Sequence, residues 1–508
     1  MLVPFVLGAC AIATAFTACR LIAPFYGFGP LLISTTLAVS FLGLGVGFLL
    51  ASMLGGVRSD GAPRTGSTAT ILAAAWTILL PWTMNPILGV LERIGLRAAT
   101  IIAVKLAIGV PMIGLGFAIG RCFLSRSEGR PGARIDTLPL ASAMFGAALA
   151  APIVVWMLVP LVGLARTLLA VGMVEAIVAW IARRGARRGA LAGAGSVLLL
   201  AAIASATRFP AIVRDPAHGV VEAREGPAMQ YRVLDREDGR FLIADGGIQT
   251  LVSAETRDGL LRPSAAFQII DFFFATPESA LVLGLRGGAV AKRLARAGWR
   301  VRVVEPDPLA VQEASTHLSF HPDESPVVVA DVRVFCRTTS RRYPVVVMDA
   351  FDTSVVPFHL ITREALETIA DRVAENGIMA LAIATRGWED PLIGSIAAML
   401  RGRFRTVIAL PTSEPPTALG SIVLLASNRA LELPDERLPQ PTEYLMNPEE
   451  HWGVVQMNHA WFNRFTPRTR GAVVLTDDRN PIDLWSDPVE HASRIELHES
   501  FARAPRSW

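Results

Sequence analysis

Three apolar runs in the second half of this 508-residue chain each end in a carboxylate. Val301–Val304 runs into Glu305, Val327–Ala330 into Asp331, and Val345–Met348 into Asp349, with Asp352 three residues further on. A fourth run, Ala280–Leu283, opens instead onto Gly284-Leu285-Arg286-Gly287-Gly288-Ala289. Glycines there let the backbone turn sharply and approach a ligand closely. An acid at the tip of the next strand can accept hydrogen bonds from both hydroxyls of a ribose, and Glu305 stands 21 residues after Gly284. One acid at a strand end usually caps the helix that follows. Three in succession after a glycine turn point to a site.

The elements that must position these residues follow from the same stretch. Val290, Leu294 and Ala297 share one face of a helical pattern after the glycine turn. The order strand, turn, helix, strand, acid builds a nucleoside site in a doubly wound sheet, at the carboxyl ends of the strands. Upstream, Gln230–Leu234 and Phe241–Ala244 flank Asp238-Gly239, a hairpin signal, and Asp245-Gly246-Gly247 makes a second turn into Ile248-Gln249-Thr250. A small β region therefore precedes the α/β domain. Downstream, Arg363–Val373 reads as a helix capped by Thr362, and Ile378–Ile383 as a strand. A helix over Leu392–Met399 and a strand over Ser421–Ala426 complete the sheet. Beyond about 440 the chain is rich in Trp, Asn and Pro, with a turn at Leu475–Pro481.

The first 206 residues are of another kind. Hydrophobic residues make up 52% of the chain and its mean hydropathy is +0.43, with the excess concentrated here. This part carries 15 Lys and Arg against 5 Asp and Glu; the remainder carries 33 against 39. The overall basicity is thus no nucleic-acid signal, because the positive charge lies between apolar segments. The lengths predict seven membrane spans, at about 3–24, 31–53, 69–91, 99–120, 138–160, 164–182 and 189–206. The first lacks the basic flank of a secretory signal and is expected to be retained. Gly43, Gly45 and Gly47 would let a neighbouring helix approach the second span. Lys105 and Glu175 fall inside spans; Lys105, near an end, can snorkel, whereas Glu175 is near mid-span. Arg121, Arg126, Arg130 and Arg134 lie in one loop; Arg183, Arg184, Arg187 and Arg188 lie in another two spans later, on the same side. The positive-inside rule makes that side cytoplasmic. A seventh span would then carry the C-terminal half outside, whereas nucleoside chemistry belongs in the cytoplasm. Cys10, Cys19, Cys122 and Cys336 form no CxxC pair, and the eight histidines lack ligand spacing, so neither a disulfide framework nor a metal is expected.

The residues of the α/β half resemble the spermidine synthase (polyamine aminopropyltransferase) family. The whole chain resembles the bacterial proteins in which such a domain is fused to a membrane helix bundle. The landmarks are Asp245-Gly246 with Gln249, the Gly284 turn, Glu305, Asp331 and Asp349-Ala350-Phe351-Asp352. Pro357–Glu364 looks typical of the membrane-fused branch, and Arg20–Gly27 and Gly55-Gly56 look like that branch's first two spans. The resemblance covers about residues 220–430. It implies an α-helical transmembrane bundle, then a small β region and a Rossmann-like methyltransferase-type domain. The domains would be 1–206, a linker at 207–226, a synthase-like domain at 227–440 and an extension at 441–508. The resemblance further implies decarboxylated S-adenosylmethionine as co-substrate and methylthioadenosine as product, with no metal. Gln249, Gly284, Gly288 and Glu305 would hold the nucleoside, with Glu305 on the ribose, and Asp331 with Val332 would sit at the adenine. Asp349 would be the general base, while Asp352 and Gln249 would hold the acceptor. Its partners would be a small amine acceptor and the lipid bilayer, in a bacterial inner membrane, and a homodimer through the synthase-like domain is open. Two departures stand out. The acid that the family carries in its glycine turn is replaced by Gly287 beside Arg286, and the Tyr-His pair before the first strand is absent from Arg262–Phe267. Arg286 and Arg262 would repel a polyamine if they faced the pocket. A lapsed domain that senses a nucleoside or polyamine and regulates the membrane bundle is the alternative reading, and an ordinary S-adenosylmethionine methyltransferase is a third.

Overall fold

The computed structural model describes residues 2–54, 62–91, 96–127, 137–182 and 219–502, apart from 227, 238, 352–355 and 446. The chain divides into two compact units, the first containing the N-terminal helices and residues 223–230, the second residues 219–222 and 231 onward.

Among the described residues of the first unit, six helices are long and apolar enough to cross a membrane. They are Leu2–Tyr26, Pro30–Met53, Thr65–Met84, Ala98–Leu124, Leu138–Val162 and Leu164–Ala182. They coincide with the first six expected spans; the seventh, at 189–206, lies outside the described residues. Gly163 alone separates the fifth helix from the sixth, with φ of 89°, a region an L side chain rarely adopts. Small residues decide how closely these helices pack. A Cβ on Gly47 would lie 2.1 Å from the Ile113 carbonyl oxygen, and one on Gly43 would lie 2.7 Å from Met112 Cβ. Gly45 meets nothing within 4 Å, because it points away from that contact. Lys105 is exposed, on a π-helical segment, Lys105–Gly109. Glu175 is fully buried and accepts from Thr14 Oγ1 at 3.5 Å.

Beyond the helices the described chain forms two sheets. The smaller has the order β1 (Val220–Glu225), β2 (Gln230–Arg236), β3 (Gly239–Ala244) and β4 (Gly247–Val252). β2 to β4 are the expected hairpins, and β1 stands inside the stretch read as linker. The larger sheet contains β5 (Ser279–Leu283), β6 (Arg300–Glu305), β7 (Val327–Val329), β8 (Tyr343–Met348), β9 (Val373–Arg386), β10 (Thr406–Pro411) and β11 (Leu419–Ser427). Its spatial order is β10-β11-β9-β8-β5-β6-β7. β5 to β9 pair in parallel, and β11 pairs antiparallel with both β9 and β10.

Parallel strands covered on both faces read as continuous apolar runs. In β5, Ala280 and Val282 enter one core with Val290, Leu294 and Trp461. Leu281 and Leu283 enter the other, with Leu366, Ile369 and Ile396. After β5 the chain adds β6 and β7 outward, then returns to place β8 on the opposite side of β5. The reversal opens a crevice at the carboxyl ends of β5 and β8, the topological switch point where ligands of such sheets lie. Two helices follow the sheet, Pro448–Phe462 and Ile482–Ala502.

Candidate active site

The glycine turn lies at that switch point. Gly284 follows β5 with φ of 89°, and a Cβ there would sit 2.4 Å from the Asp349 carbonyl oxygen and 2.7 Å from Ala350 Cα. The Asp349 N–H donates to Leu283 O at 2.8 Å. The turn after β5 and the acid after β8 are thus held backbone to backbone. Gly287 has φ of 76°, and a side chain there would enter Thr250 and Leu318, at 2.4 and 2.7 Å. An acid at that position would be strained in φ and crowded. Gly288, also in the left-handed region, precedes the helix Ala289–Arg296.

Glu305, at the end of β6, closes the turn from the other side. Its Oε2 accepts the Leu285 N–H and its Oε1 the Asp307 N–H, both at 2.9 Å, and the residue is buried. Each carboxylate oxygen can accept more than one hydrogen bond. Asp307 caps the helix Pro308–His317 through Leu309 N at 2.9 Å and accepts from the Tyr231 hydroxyl at 2.9 Å. Burial, with the carboxylates of Asp307, Glu305 and Asp245 nearby, pushes the Tyr231 phenol well above its usual pKa, so it remains a donor. Neither Tyr231 nor Asp307 stood out in the sequence. The Asp-Pro pair at 307–308 carried a helix-start signal, whereas the Tyr231 contact is wholly non-local.

β4 lies against the glycine turn. Its register with β3 pairs Ile248 with Ile243 and Thr250 with Leu242, leaving Gln249 as an extra residue in a β-bulge. Bulges re-aim a side chain and occur preferentially beside active sites. Gln249 is buried, as is Asp245, which takes φ of 43° in the preceding turn. Ile248 O receives Arg286 Nη2 at 3.5 Å.

Of the two arginines that would repel a polyamine if they faced the pocket, Arg286 does face Asp349. Its Nη1 lies 3.1 Å from Asp349 Oδ1, with Asp349 5% exposed. Arg286 itself has φ of 41°, and its buried Nε has no hydrogen-bond partner among the described residues. The guanidinium therefore faces the carboxylate that the sequence reading made the general base. Arg262, by contrast, donates to Thr412 O at 3.2 Å.

Asp331 has a different role in its surroundings. It caps the helix Val332–Thr338 through Val334 N at 2.9 Å, and its Oδ2 lies 3.1 Å from His359 Nε2. Its side chain is 41% exposed, and the Val332 side chain is in the core. Asp352 lies outside the described residues. No group of three or more His, Cys, Asp and Glu with metal-binding geometry occurs among the described residues.

Five parallel strands with an antiparallel pair at one edge, a glycine turn at the switch point and acids at the strand tips define a Rossmann-like, methyltransferase-type domain. The chain is 31% identical over 222 residues to the polyamine aminopropyltransferase of Vibrio vulnificus (strain CMCP6), a match covering 42% of this chain and 71% of that one. It belongs to the polyamine aminopropyltransferase family. Among solved structures it is similar to a probable spermidine synthase from Corynebacterium glutamicum ATCC 13032. That similarity has a TM-score of 0.37 and 16% identity, covering 41% of this chain and 81% of that one. Spermidine synthase from Thermotoga maritima gives a TM-score of 0.37 and 14% identity, covering 56% and 88%. No family model matches the chain.

Proposed function

We propose that the α/β domain transfers an aminopropyl group from decarboxylated S-adenosylmethionine to an amine acceptor, releasing methylthioadenosine, and that the apolar helices anchor it in a membrane. The amine nitrogen attacks the carbon next to the sulfonium, the carbon–sulfur bond breaks, and the surplus proton leaves the nitrogen. The leaving group is already activated, so alignment of the two substrates does most of the work. Glu305 and the bulge residue Gln249 would hold the nucleoside, with Gly284 and Gly288 admitting it against the backbone. Asp331 and Val332 would border the adenine, Asp349 would take the proton, and Asp352 would help hold the acceptor.

The observation that carries this reading is the junction at the switch point. Glu305 accepts the Leu285 N–H, while Gly284 rests on the Asp349 backbone, so the nucleoside acid and the base share one turn. Asp349 needs Arg286 to withdraw before a cationic amine can reach it, since the guanidinium takes the amine's place at Oδ1. The test is calorimetry on the full chain in detergent with decarboxylated S-adenosylmethionine, ordinary S-adenosylmethionine and methylthioadenosine, followed by product analysis with putrescine. Aminopropylated product supports the proposal. Methylated product would reassign the reaction, binding without turnover would leave a sensing domain, and no binding to any of the three would remove the nucleoside site.

A further inference from the structure

Arg121 lies towards the end of the helix Val110–Ser127, where an arginine ordinarily extends its head to water. It does the reverse. The residue is 6% exposed, and its Nε and Nη1 are buried without a hydrogen-bond partner among the described residues. The side chain lines a cavity of about 180 Å³ within the first unit, together with Ser67, Thr70, Leu7 and Val178. Ser67 Oγ donates to Ala179 O at 2.6 Å and Thr70 Oγ1 to Gly66 O at 3.0 Å, and among the described residues neither hydroxyl oxygen accepts from Arg121 Nε or Nη1. A buried guanidinium with unpaired donors is costly unless an anion meets it.

We propose that this cavity binds a phosphate-type anion carried on an apolar body, namely the headgroup of an anionic phospholipid. Three observations converge on that chemistry. The donors left over belong to a planar guanidinium suited to bidentate contact with phosphate oxygens. The remaining wall is aliphatic, from Leu7, Val178 and Ala118, which suits the start of an acyl region rather than a fully hydrated ion. The cavity also lies at the ends of four of the helices, near Val3, Gly66, Arg121 and Ala182. Successive crossings put those four ends on one side of the bilayer, the side of both arginine clusters. The positive-inside rule makes it the leaflet that carries anionic lipid.

The experiment uses the full chain in a neutral detergent, with thermal unfolding and native mass spectrometry. The additions are phosphatidylglycerol, phosphatidylcholine and inorganic phosphate, each separately. Phosphatidylglycerol should be retained and should raise the unfolding temperature, whereas phosphatidylcholine should not. Arg121→Gln should weaken retention about tenfold or more, and Arg121→Lys by less. Ala118→Leu, which fills the cavity and leaves the guanidinium in place, provides the same loss if Arg121→Gln does not fold. An Arg121-dependent response to inorganic phosphate alone would keep the anion site and reassign its source to a soluble ion. Retention of phosphatidylglycerol undiminished by both Arg121→Gln and Ala118→Leu, or no response to either anion, would overturn the proposal.

Discussion

At Glu305 a single side chain joins local structure to ligand chemistry. Its oxygens accept the N–H groups of Leu285 and Asp307, so the same carboxylate shapes the glycine turn and faces the place proposed for a ribose. Removing it costs hydrogen bonds of the charge-assisted kind, about 1.5–3 kcal/mol each. Glu305→Ala should therefore lower affinity for an S-adenosyl nucleoside about 10- to 100-fold by calorimetry. Unchanged affinity would place the nucleoside elsewhere. Asp349 and Arg286 form the second test at this scale. Asp349→Asn keeps the side-chain shape but cannot take a proton, so turnover should fall about 100-fold or more while nucleoside affinity stays within about twofold. Arg286→Ala removes a cation from the acceptor's path, and the KM for putrescine should fall. If it rises instead, the guanidinium helps to hold the acceptor rather than blocking it.

At the scale of elements, the sheet tips are where sequence and structure agree best. The apolar run Ala280–Leu283 and the acids at Glu305, Asp331 and Asp349 were legible because strand ends and turns are set by local residue types. Gly284→Ala should destabilise the chain by about 1–3 kcal/mol. The added Cβ would meet the Asp349 carbonyl oxygen at 2.4 Å in a backbone conformation with φ of 89°; an unfolding temperature within a degree of the parent would show that the turn can relax. What the sequence left dark is non-local. The Gln249 bulge exists only in the pairing of β4 with β3. The Arg286–Asp349 ion pair spans 63 positions. The helix carrying Trp461 is readable only from the far core that buries it. The turn expected at Leu475–Pro481 packs against the α/β domain. The Arg333 guanidinium donates to both Asp477 oxygens, and Asn480 Nδ2 donates to Phe358 O at 2.8 Å. Arg333 holds the Asp477 carboxyl at about 2, below its usual 3.8. The unfolded chain therefore binds more protons between about pH 4 and pH 2. The stability this pair contributes is complete above about pH 4 and is lost as pH falls through 2. Both groups are partly in water, so the effect is small and weakens with salt. Asp477→Asn should flatten the unfolding temperature between pH 5 and pH 2 relative to the parent; parallel curves would show that the pair adds nothing.

For the whole molecule, the side of the proposed membrane on which the α/β half would lie reduces to the parity of crossings. Among the described residues six helices qualify as spans, the last being Leu164–Ala182. After six crossings the chain is back on the side of its first residue. Arg121 and Arg126, which the sequence placed in a loop, belong to the helix Val110–Ser127 near the end that returns to that side; Arg130 and Arg134 follow it in sequence, and Arg183, Arg184, Arg187 and Arg188 follow the sixth helix to the same side. Charge counting and chemistry then agree, since the side rich in arginine is the cytoplasm, where an S-adenosyl nucleoside would be met. A seventh crossing through 189–206 would set them against each other again, carrying an acidic domain and its proposed co-substrate site outside. Fusing green fluorescent protein or alkaline phosphatase after Trp508 separates the two cases. With six crossings the fluorescent fusion should glow and the phosphatase fusion should be inactive in whole cells. The opposite pair of results would require the seventh span and would leave the proposed aminopropyl transfer without a cytoplasmic donor.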